Sequence, residues 1–345
     1  MQDTLFSDAD EPEPIPEAPR ARRAKGVQPA STDDALVALA RALPPRLRVG
    51  TSSWNYPGWA GLVWDRDYPE TKLSKQGLSA YARHPLFRTV SLDRAFYRPL
   101  SVEQYAAYAA QVPDDFRFVV KAPSLGADAM VRSENGRGME PNAMFLDPDL
   151  ALRTFAQPAL EGLRHRVGAL VFQLSPLPAP MLADIPQIIR RIGAMLRALP
   201  SLQPTAPDGV IAVEVRDAAF LTPAFARMLR ECGATYCLGL HAKMPPIEEQ
   251  LPMLRALWPG PLVCRWNLHR RHGAYGYEEA KRLYGAFDRI VDADPETHAA
   301  LAKVIAATTD ACYPAYVTLG NKAEGSAPLS AVQLAQVVRD RLRAR

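Results

Sequence analysis

The sequence predicts a single α/β domain, a TIM-barrel-like (β/α)8 barrel with a disordered N-terminal tail. Three observations predict it. Eight short apolar runs are built like buried strands, at 47–54, 87–96, 116–123, 168–175, 210–217, 234–242, 261–268 and 313–321. Helical stretches alternate with them, and most runs carry their polar residues toward their C-terminal ends. Eight strands alternating with helices is the arithmetic of a closed parallel barrel, a fold that places chemistry where its strands end.

Taken in order, residues 1–30 differ in kind from the rest. An acidic, proline-rich stretch from Asp8 to Pro19 is followed by Arg20, Arg22, Arg23 and Lys25. Such a segment buries little and is expected to be disordered. Residues 31–46 read as a helix and linker. Ser31 with Asp34 offers a capping box, and Pro44 and Pro45 stop the helix after Leu43. This helix is expected to cover the barrel bottom or to start its wall. The barrel domain then spans 47–345, with helices expected around 75–84, 102–111, 149–164, 182–199, 221–231, 248–257, 277–288 with 296–308, and 329–343. One irregular stretch, 124–148, contains Met130, Met139 and Met144. Its length predicts a lid over a site or a mobile loop.

Bulk properties bound the function. With 345 residues, 48 % apolar and 23 % charged, the chain can bury a sizeable core. A net charge of +4 is too small to imply nucleic acid by itself. No run approaches a membrane span, and the N-terminus lacks signal-peptide order, so cytoplasmic residence without membrane association is the expectation. Cys232, Cys237, Cys264 and Cys312 stand far apart and read as reduced core thiols.

Strand alternation assigns faces. In the fifth run Ile211, Val213 and Val215 face the helices, leaving Ala212, Glu214 and Arg216 toward the axis. A carboxylate beside a guanidinium on an inner face must pair or meet a ligand. An internal salt bridge and a ligand role both satisfy that demand. By the same parity Lys121, Gln173, Arg265 and Asn267 point inward, with His269 following if the seventh strand extends that far. The second run offers Ser91 and Asp93, the sixth His241, and Asn321 ends the eighth with its facing ambiguous. Three cations against two carboxylates favour an anionic ligand, since guanidinium forks suit carboxylate or phosphate. Gly325, Ser326 and Ala327 precede the last helix, where amides could hold a phosphate or merely cap it. Trp54, Tyr56, Trp59, Phe96 and Tyr97 follow the first two strands, suited to stacking on a sugar or base or to loop packing.

These residues resemble a family. Gly50-Thr51-Ser52-Ser53-Trp54 followed by Tyr56-Pro57 is similar to the opening signature of the YecE-like proteins, the domain-of-unknown-function 72 family. Further matches follow in order: Phe96-Tyr97-Arg98, Phe116-Arg117-Phe118 leading to Lys121-Ala122-Pro123, and Phe172-Gln173-Leu174 before Pro176. Val213-Glu214-Val215-Arg216, Arg265 with Leu268-His269, and Asn321 complete the series. The resemblance runs from about Leu47 to the C-terminus. It implies a TIM-barrel-like fold and carries no established activity. Relatives usually read Glu-x-Asn-x-Thr-Phe-Tyr where this chain has Ser91, Asp93 and Ala95, which implies an altered preference or a weakened activity. The basic run Arg270, Arg271 and His272 implies a divergent subgroup.

The leading expectation is an enzyme acting on a small anionic, phosphorylated or sugar-like compound. Glu214 is the candidate general base or acid, Asp93 its partner and Tyr97 a phenolic donor. Lys121, Gln173, Arg216, Arg265, Asn267, His269, Asn321 and Trp54 are the candidate ligand-binding set. No cofactor is predicted. A divalent metal on Glu214, His241, Asp93 and His269 is the first alternative. Nucleic-acid binding through the basic tail, Arg270–His272 and the aromatics is another. A non-enzymatic metabolite sensor completes the set. A monomer or weak dimer is expected.

Overall fold

The computed structural model describes residues 26–132, 139–273 and 276–344. The eight strands are β1 (Leu47–Thr51), β2 (Phe87–Leu92), β3 (Arg117–Lys121), β4 (Val167–Gln173), β5 (Val210–Glu214), β6 (Thr235–Leu240), β7 (Leu262–Trp266) and β8 (Ala315–Leu319). Each pairs in parallel with its sequence neighbours, and β8 returns to β1, closing the barrel. Helices surround it, a (β/α)8-like arrangement. Both faces of every strand are covered, which is why the sequence shows apolar runs rather than strict alternation. β1 slips register against β2 between Val49 and Gly50. A Cβ at Gly50 would stand 1.8 Å from the Thr89 carbonyl oxygen, so that close approach requires glycine.

The helices begin and end where short polar side chains and prolines dictate. Ser101 and Gln104 form a reciprocal capping box for Val102–Ala109. Asp184, Thr222 and Asp294 cap Ile185–Arg197, Pro223–Glu231 and Pro295–Asp310, each helix having proline in its first turn. Ile185–Arg197 buries Ile185, Ile188, Ile189, Ile192, Met195 and Leu196, one stripe of a 3.6-residue period. Each such side chain contributes roughly 1.5–3 kcal/mol by burial. Ile192 is fully buried, so Ile192→Ala is expected to cost about 2–5 kcal/mol.

The N-terminal segment departs from expectation in two ways. Asp33, not Ser31, caps Asp34–Arg41, its carboxylate accepting from Ala35 N at 2.9 Å. Residues 26–30 also do not behave as tail. Val27 is buried, Pro29 bridges Trp64, and Ala30 N donates to Val63 O at 2.9 Å. The Asp34–Arg41 helix lies against Ala327–Arg343 and so joins the wall. The expected tail of acidic and basic residues up to Lys25 lies outside the described residues.

The described residues of 124–148 are built rather than open. A helical turn at Ser124–Ala127 leads into a hairpin of Met130–Arg132 against Met139–Pro141. Asn142 clips it down, donating through Nδ2 to Leu125 O at 2.7 Å and Asp128 O at 2.8 Å. Among the cysteines, Cys237 and Cys264 are buried and Cys232 is half-buried, but Cys312 is exposed, so it is not the core thiol expected. None of the described helices is long and apolar enough to cross a membrane.

The barrel interior is stacked in three layers. At the N-terminal end Asp208 accepts from Arg117 Nη2 at 2.9 Å and stands 3.5 Å from Arg48 Nη2, while Tyr316 Oη donates to its carbonyl at 2.8 Å. Val119, Ala169, Val171, Ala212, Cys237 and Val263 form the dry middle, with the Tyr316 ring. Above them, at the C-terminal end, the inward positions turn polar.

Candidate functional site

Glu214 ends β5 with its side chain inside the barrel and fully buried. Its Oε2 accepts from Arg265 Nη1 of β7 at 2.7 Å, and its Oε1 lies 2.5 Å from Arg216 Nη2. Gln173, at the end of β4, accepts through Oε1 from Arg265 Nη1 at 2.9 Å and Arg216 Nη2 at 3.2 Å. Arg265 Nη2 donates to both oxygens of Asp93, at 3.1 and 3.2 Å, and Ser91 Oγ donates to Asp93 Oδ1 at 2.6 Å. A Cβ at Gly239 of β6 would come 3.4 Å from Glu214 Cγ and Oε1, so this glycine leaves room for the carboxylate. A charge so deep is sustained only by close counter-charges and hydrogen bonds.

This network floors a cavity of about 640 Å³ at the C-terminal ends of the strands. Among the described residues five cations line it, Lys121, Arg216, Lys243, Arg265 and Lys322, against the single carboxylate of Asp93. Counting Glu214 beneath the floor, cations still exceed carboxylates five to two. Four buried donors here have no hydrogen-bond partner among the described residues, Arg216 Nη1, Arg265 Nε, Asn267 Nδ2 and Asn321 Nδ2, against one acceptor, Glu214 Oε1, which is held by its ion pair with Arg216. Asn321 is held by its other end, its Oδ1 accepting from Trp59 Nε1 at 3.2 Å and Ala327 N at 2.9 Å. Unsatisfied buried donors are costly, so a donor-rich pocket is built for acceptors. Tyr56, Tyr277, Ser52 and Ser53 supply further polar edges.

Charge states follow from this packing. Burial alone would raise the Glu214 carboxyl, but the guanidinium of Arg216 and then that of Arg265 reverse the sign and hold it below its usual range. Arg265 is driven the other way: burial opposes its charge, and Glu214 and Asp93 more than restore it. Burial, then Arg265, bring the Lys121 ammonium down to about 8. Burial, then Arg216, bring His241 to about 3, so its ring is neutral near pH 7. Its Nδ1 accepts from Lys243 N at 3.0 Å, which leaves the hydrogen on Nε2. Burial, then the charge of Asp93, push the Tyr56 phenol up to about 12.

Most of the candidate residues converge. Asp93, Tyr97, Lys121, Gln173, Arg216, Arg265, Asn267 and Asn321 line the one cavity, with Glu214 under its floor. Tyr97 sits at the rim, 83 % exposed. Trp54 and His269 are elsewhere. Trp54 is buried in the wall, donating through Nε1 to Leu73 O at 3.2 Å with its ring edge-on to Tyr108. His269 follows a strand that already ended at Trp266, so alternation no longer governs it. Its Nδ1 accepts from Arg271 N at 3.2 Å and its Nε2 lies 4.0 Å from Asp294. The facing of Asn321 resolves because it opens the turn Asn321–Ala323 rather than ending β8.

Other expectations meet the same geometry. Glu214, Asp93, His241 and His269 form no metal cluster, and no group of three or more His, Cys, Asp or Glu gathers as one among the described residues. The amide of Ala327, a candidate phosphate donor, is taken by Asn321. The basic run is committed internally: Arg270 Nη1 donates to Met244 O at 2.5 Å, Arg271 pairs with Asp292, and His272 Nε2 shares a hydrogen bond with Tyr284 Oη at 2.7 Å. No described residue of 124–148 lines the cavity. Lys243, Lys322 and Tyr277 escaped the sequence reading because they follow strand ends in loops or begin a helix, where no period points inward. Ser52 was within reach, since Arg48, Gly50 and Ser52 continue one parity of β1.

The family model described as "Protein of unknown function DUF72" matches residues 48–344. The chain belongs to this family. Two solved members share its fold. One from Thermotoga maritima is 20 % identical with a TM-score of 0.54, covering 85 % of this chain and 98 % of that one. One from Enterococcus faecalis is 17 % identical with a TM-score of 0.53, covering 85 % and 95 %. No curated protein matches the chain. Within the family signature, Phe96 lies against Lys121, its ring centroid 3.3 Å from Nζ, and Gln173, Glu214 and Arg216 meet in one network. Asp93, the residue after the second strand, pairs with Arg265.

Proposed function

We propose that this protein is a barrel enzyme that binds a small anionic compound, phosphorylated or sugar-like, and moves a proton on it. The observation that carries the reading is the excess of cations and unpartnered donors around Arg216 over one accessible carboxylate. The anion would rest on Arg216 Nη1, Asn267 and Asn321. Asp93, whose side chain is 35 % exposed, is the group placed to accept a proton, and neutral His241 would donate a hydrogen bond from Nε2. Glu214 fits a positioning role better than proton transfer. Its two oxygens are engaged by two guanidiniums, it is closed to solvent, and its carboxyl is held low. It fixes both arginines in the geometry that meets the ligand.

The engagement of both carboxylates with Arg265 also favours a second reading, a metabolite sensor that binds without turnover. Inorganic phosphate and a panel of phosphorylated sugars and organic acids, added in a thermal melt, test the shared part of both. Stabilisation that disappears in Arg216→Met supports an anion at the strand ends. Equal melts with and without every anion would remove the reading. Turnover of a stabilising compound then separates enzyme from sensor.

A further inference from the structure

We propose that Lys121 is a nucleophile that forms a Schiff base with an anionic carbonyl compound, a keto acid or a phosphorylated aldehyde or ketone, in the strand-end cavity. This deepens the anion-binding reading and rests on it. Three observations place the lysine in that role. It ends β3 inside the barrel, its residue buried but its side chain lining the cavity. The network of Asp93, Arg265, Glu214, Gln173 and Arg216 closes through its own hydrogen bonds without Lys121. The Nζ lies on the face of Phe96, 3.3 Å from its centroid, a cation–π contact that fixes the nitrogen's position at the cavity and by itself favours the ammonium.

An amine in this setting is activated as lysine nucleophiles are, by desolvation beside other cations. Arg265 and Arg216 disfavour its proton, and burial does so more strongly; Asp93 and Glu214 oppose them in part. Asp128, on the 124–148 segment, also lies within the field of Lys121. The balance at about 8 leaves roughly a tenth of the side chain as free amine at pH 7, on the order of a few hundredfold more than an ordinary lysine.

The chemistry balances without a cofactor. The nitrogen lone pair adds to the carbonyl carbon, the C=O π pair moves to oxygen, and the nitrogen's proton passes by way of the Asp93 carboxylate to that oxygen. The nitrogen lone pair then forms C=N as the carbinolamine C–O bond breaks, and the oxygen leaves as water, taking the nitrogen's second proton by way of the same carboxylate. Amine and carbonyl give imine and water, with no change of oxidation state. The anionic group of the same molecule would occupy the donors of Arg216, Asn267 and Asn321.

Reductive alkylation with cyanoborohydride, mapped by peptide mass spectrometry, tests this on the full chain. The probes are pyruvate and acetone, which differ in carrying or lacking a carboxylate. Exposed Lys75, Lys281 and Lys303 are internal references. At pH 7 pyruvate is expected to label Lys121 on the order of tenfold faster than the references, the larger free-amine fraction being partly offset by lower intrinsic nucleophilicity. Acetone should keep only the part of that preference the free amine supplies and label Lys121 more slowly than pyruvate, whose carboxylate the neighbouring donors can hold. Lys121→Arg, which keeps the cation but has no nucleophilic amine, should abolish the adduct at position 121 while the reference lysines label as in the parent. Labelling of Lys121 no faster than the references, or equally by both probes, overturns the Schiff-base assignment. If the phosphate shift persists in that case, the anion pocket stands without it; if the shift is absent too, the anion reading falls as well.

Discussion

Replacing Glu214 by Gln changes one charge and almost no volume, at a residue with no solvent contact. In the parent, each carboxylate oxygen faces a guanidinium, at 2.5 and 2.7 Å. The amide can accept through one oxygen only, so its NH₂ must face an N–H of Arg216 or Arg265, donor against donor. The two arginines and Lys121 also lose the charge that lets them share a buried space. Removing one partner of such a group costs about 3–5 kcal/mol. For 345 residues the unfolding entropy is ~0.7 kcal/mol per degree, so the midpoint should fall about 4–7 °C. A thermal melt at pH 7, with urea midpoints alongside, reads this directly. The pH dependence adds a sign. The Glu214 carboxyl is held below its ordinary 4.5 in the folded chain, so its stabilisation is complete above that value and is lost as pH falls through the folded one. The gap between parent and variant should therefore narrow below pH 4.5. A midpoint within about 1 °C of the parent at pH 7, well short of the cost of a broken buried pair, would refute the buried-anchor argument.

Other consequences are open to the same instruments. Arg216→Met should weaken inorganic phosphate binding by about 10- to 100-fold, the scale of one charged hydrogen bond, as read by calorimetric titration. Lys121→Met should gain stability relative to the parent at neutral pH. Because the folded ammonium titrates at about 8, below its ordinary 10.5, the unfolded chain holds the extra proton between those values, and parent stability should rise toward the variant's across that window in paired urea melts. Asp208→Asn removes the partner of Arg48 and Arg117 at the opposite end. With its side chain 32 % exposed, the cost should be near ~1 kcal/mol, with the phosphate-dependent shift unchanged.

The barrel was legible because both faces of each strand are buried, which leaves eight apolar runs with turn signals between them. Parity within those runs located Lys121, Gln173, Glu214 and Arg265, since the inward register persists to the strand end. It failed one or two residues beyond. His269 was assigned by extending β7 past Trp266, where the chain has already turned. Of the two readings open to Trp54, stacking on a ligand and packing in the wall, the structure shows the second, its indole N–H donating to the Leu73 carbonyl, so it does not join the ligand-binding set. Lys243, Lys322 and Tyr277 reach the cavity from loops and a helix start, whose positions are set by tertiary packing that no local period records. The partner of a charge was equally hidden: alternation put Glu214 and Arg216 on one face, yet the second guanidinium comes from β7, 51 residues away.

The apolar middle layer separates two charged ends of one tube. Val119, Val171, Ala212 and Val263 work as a low-dielectric spacer between the two. The Asp208 cluster can then keep the staves closed while the opposite mouth exchanges one charge pattern for another. A side chain exchanged at Ser91 or Asp93 changes the charge presented at the mouth and lies far from the Arg48, Arg117 and Asp208 hoop below. Such a molecule can change its trade without being rebuilt.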